Sequence, residues 1–351
     1  MHMSDALVSP AVGLTMAAVS AAAVGLAVSG VKKDEISEKK VPVIGVAGAM
    51  VFAAQMINFA IPATGSSGHI GGGVLLAGLL GGFPAFLSVT AVLVIQCLFF
   101  ADGGILALGC NVFNLGVIPC LLIYPLIFKP VLKRGVSNKN LSIASVAASV
   151  TALALGAFCV VLMTVISGIS QLPFGIFTSL MIPVHIVIGL VEGVVTAAVL
   201  CFIFKMRPEI IESAQTGKRT DGIPLKKVIV TLLALTVLSA GALTLFASTK
   251  PDGLEWAIAK TAERSSEQPV SQMIAGEKDD PKAGGGISSA AANVQERTAI
   301  LPDYAFANDT VKTTGTQTAG IIGAAVTFIL AGAAGLVISR LKKSRKAVSD
   351  G

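Results

Sequence analysis

The chain has 351 residues, of which 54% are hydrophobic and only 13% are charged. Soluble domains carry roughly 25% charged residues, and here the apolar residues form blocks near the ~20 residues a helix needs to cross a bilayer, so a water-soluble globular protein is excluded. The net charge of +6 lies in short segments between the blocks and at the C-terminus, a pattern that orients a membrane protein and does not suit nucleic-acid binding.

No Lys or Arg precedes the first apolar block, and Asp5 sits where the basic region of a signal peptide would be. The first span is predicted from about Pro10 to Gly30. Its small residues Gly13, Ala17, Ala21, Gly25 and Ser29 recur every fourth position, which predicts a stripe for close helix contact inside the chain. The loop VKKDEISEKKV follows, with Lys32, Lys33, Lys39 and Lys40, and is assigned to the cytoplasm. A second span runs from about Pro42 to Ala63. Met1 and the Gly/Ser-rich segment TGSSGHIGGG after Ala63 are therefore expected outside.

Between that segment and the basic loop KPVLKRGVSNKN the chain must cross an odd number of times, and three crossings are predicted. They lie near 70–83, 85–100 and 105–128, and the first is so short that it reads as tilted, broken or re-entrant. Asp102 then falls near the outer face. Spans near 141–168 and 179–204 come next, then a basic cytoplasmic loop and a span near 226–247. The polar segment 248–318 has ten acidic and seven basic residues, and within it EKDDPKAGGG reads as flexible. A last span near 319–340 returns the chain to LKKSRK. The prediction is an all-α integral membrane protein of the cytoplasmic membrane, multi-pass, with about nine transmembrane helices and its N-terminus outside. Residues 1–215 form a seven-helix body. Residues 220–351 form a two-helix hairpin that holds the extracytoplasmic loop 248–318.

The five cysteines lie in or against apolar stretches without a CxxC pair, and read as small buried hydrophobes. No P-loop, HExxH or GxSxG is present, so an ATP site of its own and an intramembrane hydrolase have no support. The chain has three histidines, His2, His69 and His185. Charge counting puts His2 and His69 on one side of the membrane. At the chain start, Met1 offers an amine, and His2 offers an amide nitrogen and an imidazole. His69 would supply a fourth nitrogen, completing a planar set suited to nickel(II) or copper(II). Asn111, Asn58 and Asp102 are candidates for hydrogen-bonding a ligand histidine from behind. His185 and Glu192 are seven residues apart, two turns along one helix face, and are read as a packed polar pair ahead of a metal site.

These stretches resemble the CbiM/NikM family, the substrate-binding membrane components of energy-coupling factor (ECF) cobalt and nickel transporters. The resemblance rests on MHMSDALVSP at the start, INFAIPATGSSGHIGGGVL, FADGGILALGCNVFNLGV and HIVIGLVEGVVTA, which together span residues 1 to about 205. PDGLEW at 251–256 resembles the signature of the two-helix PDGLE (CbiN/NikN-like) accessory component, so the chain looks like a fusion of both. Met3, Ala6 and the GSSGH loop depart from commoner family residues. The resemblance implies metal ligation by the amine of Met1, the amide and imidazole of His2 and the imidazole of His69. It implies nickel(II) or cobalt(II) as the transported substrate, in a family that often supplies cobalamin biosynthesis. The implied partners are a membrane coupling (T) protein and cytoplasmic ATPase subunits. Two other readings stand beside it: a component for an organic micronutrient, which requires an apolar, aromatic-walled pocket, and a membrane assembly protein that transports nothing.

Overall fold

A computed structural model of the chain describes residues 1–31, 41–216, 225–265, 285–306 and 312–349. In chain order the helices are α1 (Pro10–Gly30), α2 (Val41–Gln55), α3 (Gly73–Leu80), α4 (Gly82–Phe100), α5 (Leu108–Leu132), α6 (Asn138–Ser167), α7 (Phe174–Met206), α8 (Pro208–Thr216), α9 (Lys226–Phe246), α10 (Gly253–Ser265), α11 (Gly285–Thr298) and α12 (Lys312–Ser349). Among the described residues, seven of them (α1, α4, α5, α6, α7, α9 and the Gly315–Arg340 part of α12) are long and apolar enough to cross a bilayer, with α2 and α3 as shorter apolar helices. The protein is an all-α, multi-pass membrane protein. Its outward faces carry large apolar side chains such as Leu26, Ile166, Val194 and Phe246, as a lipid-facing surface requires.

Local sequence explains the boundaries. The Ser9 hydroxyl accepts from the Val12 N–H and Pro10 occupies the first turn of α1, where its missing N–H costs nothing. Ser137 caps α6 in the same way, and Gly168 ends it in a left-handed conformation. The middle of α5, Phe113–Phe128, is wound in wide π turns around Pro119 and Pro125, which have no N–H for the i−4 carbonyl.

The core forms where helices cross closely. On α7, a Cβ placed on Gly189 or Gly193 would stand 2.8 Å from the Cα of Val150 or 2.6 Å from that of Val146, both on α6. Two glycines four residues apart thus bring the two backbones together. A second core joins α2 to the C-terminal part of the chain. Phe52, buried on α2, clusters with Ala240, Leu301, Ala319 and Ala324, and Gly45 faces the Phe328 carbonyl on α12.

Several expectations change. The second span stops at Gln55 rather than near Ala63. Beyond it, Phe59–Ala60 (β1) pairs antiparallel with Ser67–Gly68 (β2), with Phe59 opposite Gly68 and Ala60 opposite Ser67. Pro62 and the Gly/Ser run cannot continue a helix, so the chain folds back as a hairpin. The short span near 70–83 is the eight-residue α3, about 12 Å long at 1.5 Å per residue. It is a buried half-helix that breaks into α4 at Gly81, and does not cross a bilayer unaided. The small-residue stripe of α1 makes an internal contact only in its first part: Gly13 is buried against Leu106 and the Ala17 backbone lies against Gly109 of α5. Ala21, Gly25 and Ser29 are exposed, and the face turned inward carries Gly13, Ser20, Ala23 and Ala27. Among the described residues, the segment 248–318 contains the helices α10 and α11 and the start of α12. The lysine loop at 32–40 and the stretch from Glu277 to Gly284, expected to be flexible, lie outside the described residues.

Candidate metal centre

The first three residues alternate. Met1 and Met3 are buried, at 5% and 0% exposure, while His2 between them turns to the opposite side. The Met1 methyl group lies where a Cβ on Gly156 of α6 would be 2.9 Å away, and Met3 is fixed through its backbone. Its N–H donates to Asn111 Oδ1 at 2.7 Å, and its carbonyl accepts from Asn111 Nδ2 at 3.1 Å and from the Gly104 N–H at 3.0 Å. Two apolar anchors and one amide clamp thus place the amine and the His2 ring.

The β1–β2 hairpin and the glycine run after it deliver His69. The Glu192 carboxylate on α7 accepts from the N–H groups of Gly71 at 2.7 Å and Gly72 at 3.1 Å. Gly72 is left-handed, with φ of +76°, and its Cα faces Val51 so closely that a Cβ would lie 2.5 Å from Cγ1; only glycine fits there. His69 Nε2 then stands 3.2 Å from the Met1 nitrogen, and the His2 and His69 rings stack with centroids 5.3 Å apart and planes 12° apart.

Two carboxylates complete the surroundings. Asp102, in the turn after α4, places Oδ1 3.4 Å from His2 Nδ1, and its Oδ2 accepts from the Tyr304 hydroxyl at 2.6 Å. Asp252 Oδ2 accepts from the Met1 amine at 2.9 Å. Its other oxygen caps α10 by accepting from the N–H groups of Leu254 and Glu255, each at 2.8 Å. The Pro251 carbonyl, one residue earlier, accepts from the Ser67 N–H at 2.7 Å, beside β2. The segment 248–256 is therefore laced to the loop that carries His69.

Burial governs the electrostatics. It lowers the basicity of His2 despite the nearby Asp102 charge. Burial, then the charged amine and His2, push His69 down to about 3. Both rings are thus neutral at pH 7 and have nitrogen lone pairs to give. For Asp252, burial acts upward, but the charged amine, the Glu255 N–H and His69 outweigh it, and the carboxyl stays below the usual carboxylate range. His2 Nε2 is buried without a hydrogen-bond partner, which is costly unless something else fills that role. A cavity of about 330 Å³ opens beside these groups, lined by His2, Asn58, His69, Asp102, Asp252 and Glu255 among others.

What the arrangement can do follows from its donors. Among the described residues, no three His, Cys, Asp or Glu side chains are grouped to hold an ion by themselves. Any ion here would need main-chain nitrogen as well. Cis ligands at about 2.0 Å from one ion lie about 2.8 Å apart, so the 3.2 Å between Met1 N and His69 Nε2 is a few tenths of an ångström from chelating distance.

The structure brings Met1, His2, His69 and Asp102 together, with Asn58 on the cavity wall. Asn111 holds the Met3 backbone rather than a histidine ring. His185 and Glu192 share a face of α7 but do not pair: His185 Nδ1 bonds the Met181 carbonyl at 2.8 Å, and Glu192 takes the Gly71 and Gly72 amides. Those amides, freed where α3 begins after a left-handed residue, attract the carboxylate more strongly than a neutral imidazole two turns away. Asp252 and Tyr304 were missed. Asp252 stands within the PDGLEW motif, which was a usable signal; Tyr304 has none.

Comparison with known proteins bears on this geometry. A family described as the cobalt uptake substrate-specific transmembrane region, CbiM, matches residues 2–210, and the PDGLE domain matches residues 226–340. A putative fused nickel transport protein, NikMN, from Archaeoglobus fulgidus is 32% identical over 72% of this chain and 80% of its own length. A probable fused nickel transport protein, LarMN, from Lactiplantibacillus plantarum is 32% identical over 77% of this chain and 82% of its own. A crystal structure of a truncated transition metal transporter aligns with a TM-score of 0.52 at 27% identity, covering 59% of this chain and 99% of the other.

Proposed function

Because the chain belongs to the family of cobalt uptake substrate-specific transmembrane regions and carries a PDGLE domain behind it, we propose that it binds nickel(II) or cobalt(II) for uptake, as the substrate-specific component of an energy-coupling factor transporter. The ligands are the Met1 amine, the amide and imidazole of His2 and the imidazole of His69. The site faces outward, and residues 1–215 form the metal-binding body. Residues 220–351 form the accessory hairpin. A membrane coupling protein and cytoplasmic ATPase subunits supply the ATP hydrolysis that drives release inside.

The observation that carries this reading is the approach of His69 Nε2 to the Met1 nitrogen across 68 residues of sequence, with the His2 ring stacked beside it. A carrier for an organic nutrient fits less well. The cavity wall has Asp102, Asp252, Glu255 and Asp303, with Tyr304 as its one Phe, Tyr or Trp ring among the described residues; an organic ligand of that size calls for apolar and aromatic walls. Four nitrogen donors in a plane favour nickel(II) over cobalt(II).

The decisive test is metal-competition binding on purified protein with its native N-terminus. One tightly held nickel ion per chain is expected. One residue added before Met1 moves the amine and should abolish binding, and His69→Ala should weaken it at least about tenfold, roughly 1.4 kcal/mol, with the protein still inserted. Unchanged nickel affinity in the extended variant would overturn the ligand set.

A further inference from the structure

Two buried glutamines have no place in the ligand set. Gln55 ends α2 and Gln96 lies on α4. Gln96 Nε2 donates to Gln55 Oε1 at 2.7 Å, which turns the other end of the Gln55 amide toward the glycine run. Gln55 Nε2 donates to the Gly71 carbonyl at 2.9 Å. That carbonyl belongs to the Gly71–Gly72 peptide, whose N–H, on Gly72, donates to Glu192 Oε1 at 3.1 Å. The peptide is thus held at both ends, from α2 and from α7. The preceding peptide is held as well. Its N–H, on Gly71, donates to Glu192 Oε2 at 2.7 Å, and its carbonyl, on Ile70, stands 3.4 Å from His69 Nδ1.

We propose that Gln55 is a positioning residue for the metal site, fixing the glycine run behind His69 and with it the direction of the His69 ring. Gly71, Gly72 and Gly73 follow His69 almost at once, and three glycines in a row set no conformation of their own. Their course has to be imposed from outside. Glu192 alone grips two N–H groups from one side, which leaves the run free to rock about that carboxylate. A donor on the carbonyl side removes this freedom, because the planar peptide is then pinned at opposite edges. The fixed run presents the Ile70 carbonyl to Nδ1, the ring nitrogen not used for ligation. With its proton on Nδ1, the ring keeps a lone pair on Nε2, which stands 3.2 Å from the Met1 nitrogen. Gln96 acts one step further back, by holding the Gln55 amide in the orientation that donates to Gly71. Loss of a partner behind a ligand histidine typically costs roughly 10–100-fold in metal affinity. The inference rests on the metal-binding reading above.

Gln55→Met keeps an unbranched side chain of similar length and removes both polar ends. Nickel(II) binding to the full chain, in detergent and with the native N-terminus, supplies the readout, together with the ligand-field absorption at saturating nickel and the melting temperature of the metal-free protein. Gln55→Met should weaken nickel binding about tenfold and shift the absorption band. Gln96→Met should do the same to a smaller degree, and the double variant should be no weaker than Gln55→Met alone, because residues acting through one another are not additive. Tyr124→Phe is the control for lost stability. It removes a buried hydrogen bond, from the Tyr124 hydroxyl to the Ala214 carbonyl at 3.0 Å, that touches none of these residues. It should lower the melting temperature and leave affinity and band at wild-type values. Wild-type affinity and spectrum in Gln55→Met, additive losses in the double variant, or an equal affinity loss and band shift in Tyr124→Phe would each overturn the role. Where Gln55→Met yields no folded protein, Gln96→Met decides alone: weaker binding with a shifted band upholds the role, and wild-type values overturn it. The overturning outcomes leave the metal-binding reading standing. Absence of nickel binding by the wild-type chain removes both.

Discussion

His69 shows how a single burial decides both readiness and pH response. Its ring is pushed down to about 3 by burial first and by the charged amine and His2 next, against about 6.5 in an unfolded chain. A histidine depressed on folding lends stability that is fully present above its unfolded value and is lost as pH falls. Between pH 6.5 and about 4 the unfolded chain takes up the proton and the folded one does not. The metal-free protein should therefore lose up to about 1.4 kcal/mol per pH unit from this residue over that range. Melting temperatures measured across it should fall less steeply for His69→Gln than for the wild type. His2 and His69 were legible as candidates because charge counting alone placed them on one side. The PDGLEW motif marked Asp252, but its partner was not legible: the contact depends on a loop returning across 251 residues to the Met1 amine, and no local pattern records that distance.

Among the elements, α6 and α7 give the site its rigid wall. His185 and Glu192 stand on α7, and the Glu192 carboxylate fixes the glycine run that follows His69. The wall exists because Gly189 and Gly193 let α7 lie against Val146 and Val150 of α6. Gly193→Val would force a side chain into backbone atoms, and overpacking of this kind costs about 1–3 kcal/mol. The variant should melt several degrees lower in detergent, and nickel affinity should fall with it through the displaced Glu192. Most helices could be read from apolar block length and the charges between blocks. The misreadings have local causes: Pro62 and its neighbours turn a presumed helix end into a hairpin, and α3 is half a span because Gly72 and Gly81 bound it. The stripe on α1 is used only at Gly13 and Ala17, because small-residue spacing identifies a face that permits close approach, not how far a neighbour follows it.

Across the whole molecule, the C-terminal part is joined to the rest at several places. α12 and α9 pack on α2, α10 packs on α7, the segment 248–256 is laced to the β1–β2 hairpin, and Gln295 and Tyr304 hold the turn after α4. Such an extensive association should not depend on the chain connection. Residues 1–216 and 225–351 expressed as separate chains should co-purify as a stoichiometric pair, and the first fragment alone should melt lower than the pair. Recovery of the two as independent species would refute the idea that these contacts hold the parts together. Block lengths could suggest the two-part organisation, but the mutual packing could not be read from sequence, since lipid-facing and helix-facing apolar residues look alike in a membrane protein.

The ion pair between Met1 and Asp252 has a further consequence for how the cargo is exchanged. In the metal-free protein the amine carries one positive charge beside that carboxylate. With the proposed ligands in place, a divalent ion brings two positive charges, the amine gives up its proton and the His2 amide gives up another to become an anion. The sum next to Asp252 is again one. Loading is then a swap of two protons for one ion, so the buried centre never changes its net charge, and Asp252 is the same counter-ion for the empty carrier as for the full one.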